Sequence, residues 1–379
     1  MIKVDLVAAA LPNFMKVAPL YRVLKSENSW CRPRLVHTGQ HYDANMSGAF
    51  LRELGLPDPD VHLEIGGGTH AQQTGGVMIA YEEACLKERP DWVIVVGDVN
   101  STIACTLAAK KIGIPVGHLE AGLRSGDRSM PEELNRIATD ALADLLWTPS
   151  PDADENLERE GIPKNRIKLV GNIMIDSLEM MKSAIQACQY PRRLGLESHG
   201  FGVVTLHRPS NVDDAKRLAE LVRVILAAAQ KPPVVFPVHP RTRQRLEASG
   251  LWKRLAEARG VTLTEPLGYT DFMSLVFECR YVLTDSGGIQ EETTYLGIPC
   301  LTLRENSERP ITIKQGTNRL VRPETVLEHL EAALTGAWPK GTRPALWDGK
   351  VALTGRPKSQ GRCIELDGAA RLQQLSIKQ

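Results

Sequence analysis

The chain has 379 residues, more than one hydrophobic core usually organises, so two domains of similar size are predicted. Hydrophobic residues make up 42% and charged residues 24% of the chain, and no apolar run is long enough to span a bilayer. The net charge of +1 argues against a nucleic-acid-binding or membrane-binding protein, so any anion site must be local.

The residue types that build disulfides and metal sites are scattered. The seven cysteines form no CxxC pair, and their odd number suits reduced, mostly buried thiols in a cytoplasmic protein. The nine histidines show no metal-ligand spacing, so neither a structural metal nor a cofactor is predicted. The apolar stretch 1–10 contains Asp5 and precedes a proline, which favours a buried first strand over a signal peptide.

Short β-branched runs alternate with longer helical patterns along the chain. In the first half, strands are predicted at 2–8, 34–37, 92–96, 116–119, 146–148 and 168–170, with helices at 15–24, 73–87 and 102–111. In the second half, strands are predicted at 202–206, 233–237, 261–263, 281–284 and 299–303. This alternation predicts two doubly wound α/β domains whose ligands bind at the carboxyl ends of the strands, in a cleft between the domains.

Two motifs in the first half place carboxylates after predicted strands. Asp98 leaves the end of an apolar strand, and helix capping explains Asn100 or Ser101 but not Asp98. Glu120 follows the next strand, and Glu132 opens a helix. Paired carboxylates are suited to general acid and base roles if their environments separate their pKa values. For Glu132 and its neighbour Glu133, stabilisation of the helix dipole is the alternative explanation.

Two histidines in the second half occupy equivalent places. His207 and His239 each sit at the end of a predicted strand, and each is near an arginine. A single histidine in such a place is more often a structural hydrogen-bonding residue than a catalyst. The pair favours contact with a diphosphate or another part of a substrate.

The segment 284–292, with the sequence TDSGGIQEE, follows a predicted strand and opens a predicted helix. Ser286, Gly287 and Gly288 allow a tight turn that points the first helical N–H groups at a phosphate. Glu292, about one turn further on, is placed to accept hydrogen bonds from a ribose diol. The alternative is a capped turn that holds no ligand.

Taken together, the chain resembles the non-hydrolysing UDP-N-acetylglucosamine 2-epimerases. The resemblance covers nearly the whole chain and rests on motifs that follow the family's order: 38–41 (TGQH), 97–98 (GD), 118–124 (HLEAGLR), 131–133 (PEE), 135–136 (NR), 207–208 (HR), 285–292 (DSGGIQEE) and 308–310 (ERP). It implies a two-domain GT-B fold and inversion at C2 of UDP-N-acetylglucosamine. UDP would leave to give a glycal and then add back.

The resemblance also implies roles for individual residues. Asp98, Glu120 and Glu132 would be the acid–base carboxylates, with His207 contributing to catalysis near the diphosphate. The predicted substrate-binding residues are Lys16, Arg124, His239, Phe272 (beside the uracil), Ser286, Gly287, Gly288, Glu292 and Arg309. The predicted domains are 1–172 and 173–360, followed by a C-terminal helix in 361–379, and the predicted assembly is a homodimer.

Three departures from the family pattern affect this interpretation. Leu11 stands where the family has an arginine beside the diphosphate, although Lys16 is kept. This change predicts reduced activity or an altered substrate. The segment 66–73 lacks the arginine of the bacterial allosteric site, and Pro209 and Ser210 replace other residues near it, so activation by substrate is not expected.

Three alternative functions stay open. A 2-epimerase acting on a UDP-diacetamido-uronic acid would need an added positive group, for which Arg128 is a candidate. A GT-B glycosyltransferase would need an acceptor surface, and the acidic residues suit proton transfer better. A non-catalytic UDP-sugar binder is compatible with Leu11, but retention of three acids and His207 argues against it.

Overall fold

The computed structural model describes residues 1–26, 31–39, 51–230 and 232–352. The chain divides into two compact units: the first contains residues 1–180 and the segment starting at Ala345, and the second contains Met181–Pro344. The predicted boundaries assign 173–180 and 345–352 to the second domain instead. The segment 345–352 packs with the first unit because Trp347 Nε1 donates to the Pro149 carbonyl at 3.0 Å. The predicted helix in 361–379 lies outside the described residues.

The first unit is a parallel sheet with helices between its strands. Its strands are β1 (Ile2–Ala8), β2 (Cys31–His37), β3 (Val61–His62), β4 (Trp92–Val96), β5 (Val116–Leu119), β6 (Leu145–Thr148) and β7 (Ile167–Leu169). Its helices are α1 (Leu11–Ser26), α2 (His70–Lys87), α3 (Asn100–Lys111), α4 (Pro131–Leu142), α5 (Pro151–Arg159) and α6 (Ile173–Ala187), which continues into the second unit.

The strand order of this sheet is β3-β2-β1-β4-β5-β6-β7, and neighbouring strands run parallel. The two-residue strand β3 was not predicted because so short a segment carries no periodicity. The order reverses between β1 and β4, and ligands of open α/β sheets bind outside the carboxyl ends of the strands at such a switch point.

Burial of the central strand β4 shows that helices cover both faces of the sheet. All five of its residues, WVIVV, are buried, as expected for a central parallel strand between layers of helices. Val93 and Val95 belong to the same core cluster as Ala104 and Ala108 of α3. The small alanine side chains allow α3 to pack close to the sheet, which fixes the turn between β4 and α3.

The second unit repeats this design. Its strands are β8 (Gly202–Thr205), β9 (Val234–Pro237), β10 (Val261–Thr264), β11 (Tyr281–Thr284), β12 (Cys300–Thr302) and β13 (Asn318–Leu320). Its helices are α7 (Tyr190–Arg193), α8 (Pro209–Val212), α9 (Ala215–Ala228), α10 (Pro240–Ala248), α11 (Leu251–Ala256), α12 (Tyr269–Glu278), α13 (Ile289–Leu296), α14 (Pro310–Lys314) and α15 (Val326–Thr335).

The second sheet has the order β10-β9-β8-β11-β12-β13, with a switch point between β8 and β11. Leu218, Leu221 and Ile225 of the amphipathic helix α9 pack into the core of this unit. Two doubly wound, Rossmann-like units confirm the predicted GT-B-like class, although β13 was not predicted. In the described parts of the chain, every helix is too short or too polar to cross a membrane.

Candidate active site

In the first unit, the predicted residues gather where β1, β4 and β5 end. Asn13 and Lys16 lie in α1, directly after β1; Asp98 follows β4, and Glu120 follows β5. The Asn13 amide crosses the switch point, because its Nδ2 donates to the Val96 carbonyl at 3.1 Å. Its Oδ1 accepts from the Ala10 amide at 3.1 Å, so Asn13 links the loop after β1 to the end of β4.

Lys16 and Glu120 form a buried ion pair at this edge of the sheet. Their side chains are 9% and 6% exposed, so water screens the pair little. Gly97 packs against both: a Cβ atom there would lie 3.3 Å from Lys16 Nζ and 3.5 Å from Glu120 Oε2. Because its φ is also +70°, only glycine fits without strain.

The backbone of Glu120 is itself unusual. Its φ is +72°, a left-handed conformation that is rare for residues other than glycine, asparagine and aspartate. The turn is held because the amides of Glu120 and Ala121 both donate to the Trp147 carbonyl, at 3.1 and 3.0 Å. Such strain persists only where the surroundings impose it, and it concentrates at functional sites.

Asp98 lies beside this pair in a more open position, with 34% of its side chain exposed. The buried guanidinium of Arg136 forms an ion pair with its carboxylate. The Asn135 amide donates to the Asp98 carbonyl at 2.9 Å. Asp98 is therefore oriented by α4 and is still accessible to a ligand.

The two neighbouring glutamates of α4 have different environments. Glu133 is buried and accepts hydrogen bonds from the Ser125 and Gly126 amides, the shorter to Gly126 at 2.9 Å, and from Arg136 Nη2 at 2.8 Å. Burial alone would raise the pKa of Glu133, but these donors outweigh it and lower the pKa below its ordinary value. Glu133 has a structural role, whereas Glu132 is exposed on the first turn. The catalytic role of Glu132 stays a prediction.

Arg124 was predicted to bind substrate, which stays a prediction, and the structure places its guanidinium in contacts within the first unit. Its guanidinium forms ion pairs with Asp140 at 2.8 Å and Glu160 at 2.6 Å, and Nη1 donates to the Leu123 carbonyl at 2.8 Å. The side chain is only 10% exposed. The sequence shows a basic residue in a loop, but only the fold shows that its donors are used within the unit.

In the second unit, the loop after β8 is organised by Asp285. Its carboxylate is fully buried and accepts from the amides of His207 at 3.1 Å and Arg208 at 2.9 Å, and from Asn211 Nδ2 at 3.2 Å. Burial would raise the pKa of Asp285, but the His207 side chain and these donors lower it below the ordinary value. Asp285 therefore stays ionised and fixes the His207 loop.

His207 and His239 lie close together, with ring centroids 5.7 Å apart, and their contact with a diphosphate stays a prediction. His207 Nδ1 lies 3.0 Å from Asp285 Oδ1, and its side chain is 40% exposed. Nδ1 of His239 instead accepts from the Arg241 amide at 3.2 Å and caps α10. Burial and the neighbouring His207 lower the pKa of His239. His207 is the better placed of the two to donate to an anion.

The glycine-containing turn after β11 lies beside arginines. A Cβ atom on Gly287 would lie 3.0 Å from Arg309 Nη1 and 3.8 Å from Arg304 Nη1. Arg304 pairs with Glu308 at 2.8 Å, and Arg309 pairs with Glu291 at 3.0 Å. Since α13 begins at Ile289, its free N–H groups and the guanidinium groups converge on one small region, which suits an anion.

Glu292 is buried on α13 and accepts a hydrogen bond from the Tyr269 hydroxyl at 2.8 Å. Burial, reinforced by Glu291, raises the pKa of Glu292 to about 7, and the Tyr269 hydroxyl partly opposes this rise. Phe272 lies one turn after Tyr269 on α12 and is half-buried. The Tyr269 contact places the Glu292 carboxylate beside α12, the helix that also carries Phe272, and a carboxylate near aromatic side chains suits a nucleoside.

Several residues of these arrangements were not singled out as site residues: Arg136, Tyr269, Asp285 and Arg304. Asp285 and Arg136 lie in recognised motifs, and a buried acid directly after a strand was the available signal for Asp285. Tyr269 and Arg304 have no local signal, because only the fold brings them beside Glu292 and Gly287. Among the described residues, no group of three histidine, cysteine, aspartate or glutamate side chains is placed to hold a metal ion. Residues 40–41 and the side chain of Leu11 lie outside the described parts.

Known proteins resemble this chain over most of its length. A UDP-N-acetylglucosamine 2-epimerase of Methanococcus maripaludis is 39% identical over 88% of this chain and 92% of its own length. A UDP-2,3-diacetamido-2,3-dideoxy-D-glucuronate 2-epimerase of Pseudomonas aeruginosa is 41% identical over 84% of this chain and 88% of its own length.

Among solved structures, a Methanocaldococcus jannaschii UDP-GlcNAc 2-epimerase in complex with UDP-GlcNAc and UDP superposes with a TM-score of 0.84. It is 38% identical and covers 93% of this chain and 98% of its own. The family model for UDP-N-acetylglucosamine 2-epimerase matches residues 24–353. The chain therefore belongs to the UDP-N-acetylglucosamine 2-epimerase family, as the sequence motifs predicted.

Proposed function

We propose that this protein interconverts UDP-N-acetylglucosamine and UDP-N-acetylmannosamine. A base removes the C2 proton while the C1–O bond to UDP breaks, which leaves a C1–C2 double bond in an enzyme-bound glycal. A proton is then delivered to the opposite face of C2, and UDP adds back at C1. The observation that carries the proposal is the group of Asp98, Glu120 and Lys16 at the switch point of the first sheet.

The first unit supplies the proton-transfer groups. Lys16 pairs with the buried Glu120 carboxylate, whereas the Asp98 carboxylate is partly open and pairs with Arg136. Two carboxylates in different environments are suited to different steps, one as acid and one as base. We assign the third acid–base role to the exposed Glu132, which lies one helical turn before Arg136 on α4.

The second unit supplies the site for the leaving group. Departure of UDP places negative charge on the diphosphate, which the N-terminus of α13, His207 and Arg309 are suited to stabilise. Glu292 would accept hydrogen bonds from the ribose diol, and Phe272 would contact the uracil. A nucleotide sugar carries both a diphosphate leaving group on C1 and a proton on the adjacent C2, so it has one group for the diphosphate site and one for the proton-transfer residues.

One alternative substrate has specific support. The Pseudomonas relative that acts on a diacetamido glucuronate is 41% identical, as similar as the Methanococcus relative at 39%. A uronate would require an added positive group near C6, and Arg128 remains the candidate. A UDP-diacetamido-uronate is therefore the second substrate to test.

The deciding experiment is a proton NMR time course with UDP-N-acetylglucosamine in D₂O. We expect UDP-N-acetylmannosamine signals to grow with deuterium at C2, because the C2 proton exchanges with solvent during each turnover. Glu120→Gln is expected to abolish both changes, while Glu265→Gln, an exposed surface control, should leave them intact. Binding without either change would sink the proposal for this substrate.

Leu11 is tested in the same assay. An arginine at this position is expected to raise kcat if the family's diphosphate contact limits this protein. If the Leu11→Arg variant does not convert UDP-N-acetylglucosamine but does convert the diacetamido-uronate, the diacetamido-uronate is the substrate, and Leu11 belongs to an enzyme for that sugar.

Because the segment 66–73 lacks the arginine of the bacterial allosteric site, the rate is expected to follow a hyperbolic dependence on substrate concentration.

We also propose that the enzyme works in the cytoplasm as a homodimer. Reduced thiols support the location, since the six described cysteines are free. Apolar side chains exposed on the first unit support the dimer: Ile79 (61%) and Leu86 (70%) on α2, and Leu134 (51%) on α4. Light scattering should give a mass twice that of one chain. The double substitution Ile79→Asp and Leu86→Asp should reduce the measured mass to that of one chain. Leu327→Asp, an exposed apolar position on α15, is the matched control.

A further inference from the structure

A buried network of polar and charged groups contacts the chain segments next to Glu120 and Asp98. The Asp140 carboxylate, on α4, is fully buried and has His118 Nδ1 at 2.6 Å, Arg124 Nη1 at 2.8 Å and the Gly122 amide at 3.1 Å. These three partners bracket Glu120 in sequence. One carboxylate therefore holds the chain on both sides of the strained Glu120 turn.

His118 extends this contact to the neighbouring strand. Its Nε2 lies 2.8 Å from the carbonyl oxygen of Gly97, the residue before Asp98. Both ring nitrogens thus face oxygen acceptors, and each contact is satisfied only when each nitrogen carries a proton. Arg124 and the Gly122 amide also donate to the Asp140 carboxylate. Burial would raise the pKa of Asp140, but His118 and Arg124 lower it below its ordinary value.

We propose that Asp140 and the His118 imidazolium are positioning residues that fix the relative placement of Glu120 and Asp98, the two acid–base carboxylates of the proposed reaction. Asp140 fixes the Glu120 turn, and His118 transfers that constraint to the loop after β4 through Gly97. This inference rests on the proposed function for its kinetic consequence, but not for the charge state of His118.

The kinetic test compares two aspartates at opposite ends of β5. Asp140→Asn is expected to lower kcat about 100-fold, as for misplacement of a reacting group by roughly 1 Å, with KM and UDP affinity changed less than about twofold. Asp144→Asn is the matched control, since Asp144 accepts from the Val116 amide at 2.8 Å at the start of the same strand. It should leave kcat within about twofold. Equal loss of kcat in both variants would overturn the proposal.

A milder variant covers the case in which Asp140→Asn does not fold. His118→Gln keeps an N–H donor but removes the charge, so a loss of kcat of about tenfold at unchanged KM is expected, because a neutral donor binds more weakly than a charged one. A wild-type kcat in folded His118→Gln would overturn the proposal.

The charge state is tested without any turnover. Nitrogen NMR spectra of the histidine side chains should show both ring nitrogens of His118 protonated at neutral pH in the wild-type protein. Spectra with a single protonated nitrogen would overturn the imidazolium assignment. If the wild-type protein binds UDP but moves no C2 proton, the proposed function fails, and these spectra still decide the assignment.

Discussion

Lys16 Nζ and Glu120 Oε2 form an ion pair although 104 residues separate them in the chain. Both side chains are buried, and the pair joins the helix after β1 to the loop after β5. The pair links stability to function, because the same carboxylate that needs Lys16 for burial is proposed to transfer the C2 proton.

Replacement of Lys16 by methionine should therefore be costly in two ways. Lys16→Met leaves a buried carboxylate without its cation and should lower the free energy of unfolding by about 3–5 kcal/mol. Turnover should fall while UDP affinity stays near that of the wild type. Urea denaturation and the NMR assay measure both. Lys110→Met, which breaks the more exposed pair with Asp144, should cost at most about 1 kcal/mol. Equal losses in the two variants would contradict the prediction.

In the second unit, replacement of Asp285 should change the stability of the protein in a way that depends on pH. Asp285→Asn removes charge-assisted bonds to His207 and Arg208 and should destabilise the protein at pH 7 by about 2–3 kcal/mol. Because the folded pKa is lowered, this stabilisation is present above pH 3.8 and is lost as the pH falls through the folded pKa. The difference between variant and wild type should therefore shrink in acid, as thermal scans can show. The exposed Asp213, changed to Asn, should leave the unfolding temperature nearly unchanged.

Replacement of Arg309 should weaken binding of the diphosphate part of UDP and leave binding of its nucleoside part unchanged. If its guanidinium binds a phosphate, Arg309→Met should weaken UDP binding roughly 10- to 100-fold, the value of one or two charge-assisted hydrogen bonds. Uridine binding should not change. Calorimetry with both ligands measures the contrast. Arg319→Met is the control, because Arg319 lies over the Trp338 ring at 5.1 Å; equal loss for UDP and uridine in Arg309→Met would argue against the phosphate contact.

Glu292 predicts a pH dependence of nucleotide affinity. Its pKa of about 7 means that the carboxylate form, the form able to accept from two ribose hydroxyls, increases between pH 6 and 8. UDP affinity should rise roughly tenfold over this interval. The Glu292→Gln variant should lack the part of this rise in UDP affinity that Glu292 causes. The rise that remains comes from the titration of UDP itself.

Tyr269→Phe provides a second check of the same group. Loss of its hydroxyl removes a donor that lowers the pKa of Glu292, so the midpoint of the affinity change should move to higher pH. The contribution of Glu292 to stability should fall as the pH rises from about 4.5 to about 7, since a raised folded pKa favours the neutral form. A midpoint unmoved by Tyr269→Phe would show that the hydroxyl contact does not set the pKa.

Much of the fold follows from local sequence pattern. The runs 92–96 and 281–284 match β4 and β11 at both ends, because a buried parallel strand is a short, continuous run of branched apolar residues. The strand–helix alternation then leaves few possible topologies. Strands β3 and β13 were missed, since two or three residues with mixed polarity carry no period.

Motifs after the strands also identify Asp98, Glu120 and His207 as site candidates, because the carboxyl ends of parallel strands share one edge of a sheet. The local sequence does not decide which of two neighbouring residues faces the interior. Glu132 and Glu133 are both acids in a first helical turn, and only packing against the loop at 125–126 buries Glu133. Likewise, only the fold brings Asp140 and Glu160 to Arg124.

The sequence by itself therefore determined the fold class, the family and the strand ends that hold the candidate site residues. Only the tertiary structure decided the partners: Lys16 with Glu120, Asp285 with the His207 loop, and His118 with Gly97. The physical reason is that strand and helix signals arise from near neighbours along the chain. The protonation state and placement of a buried charge instead depend on groups that only the folded chain brings within hydrogen-bonding distance.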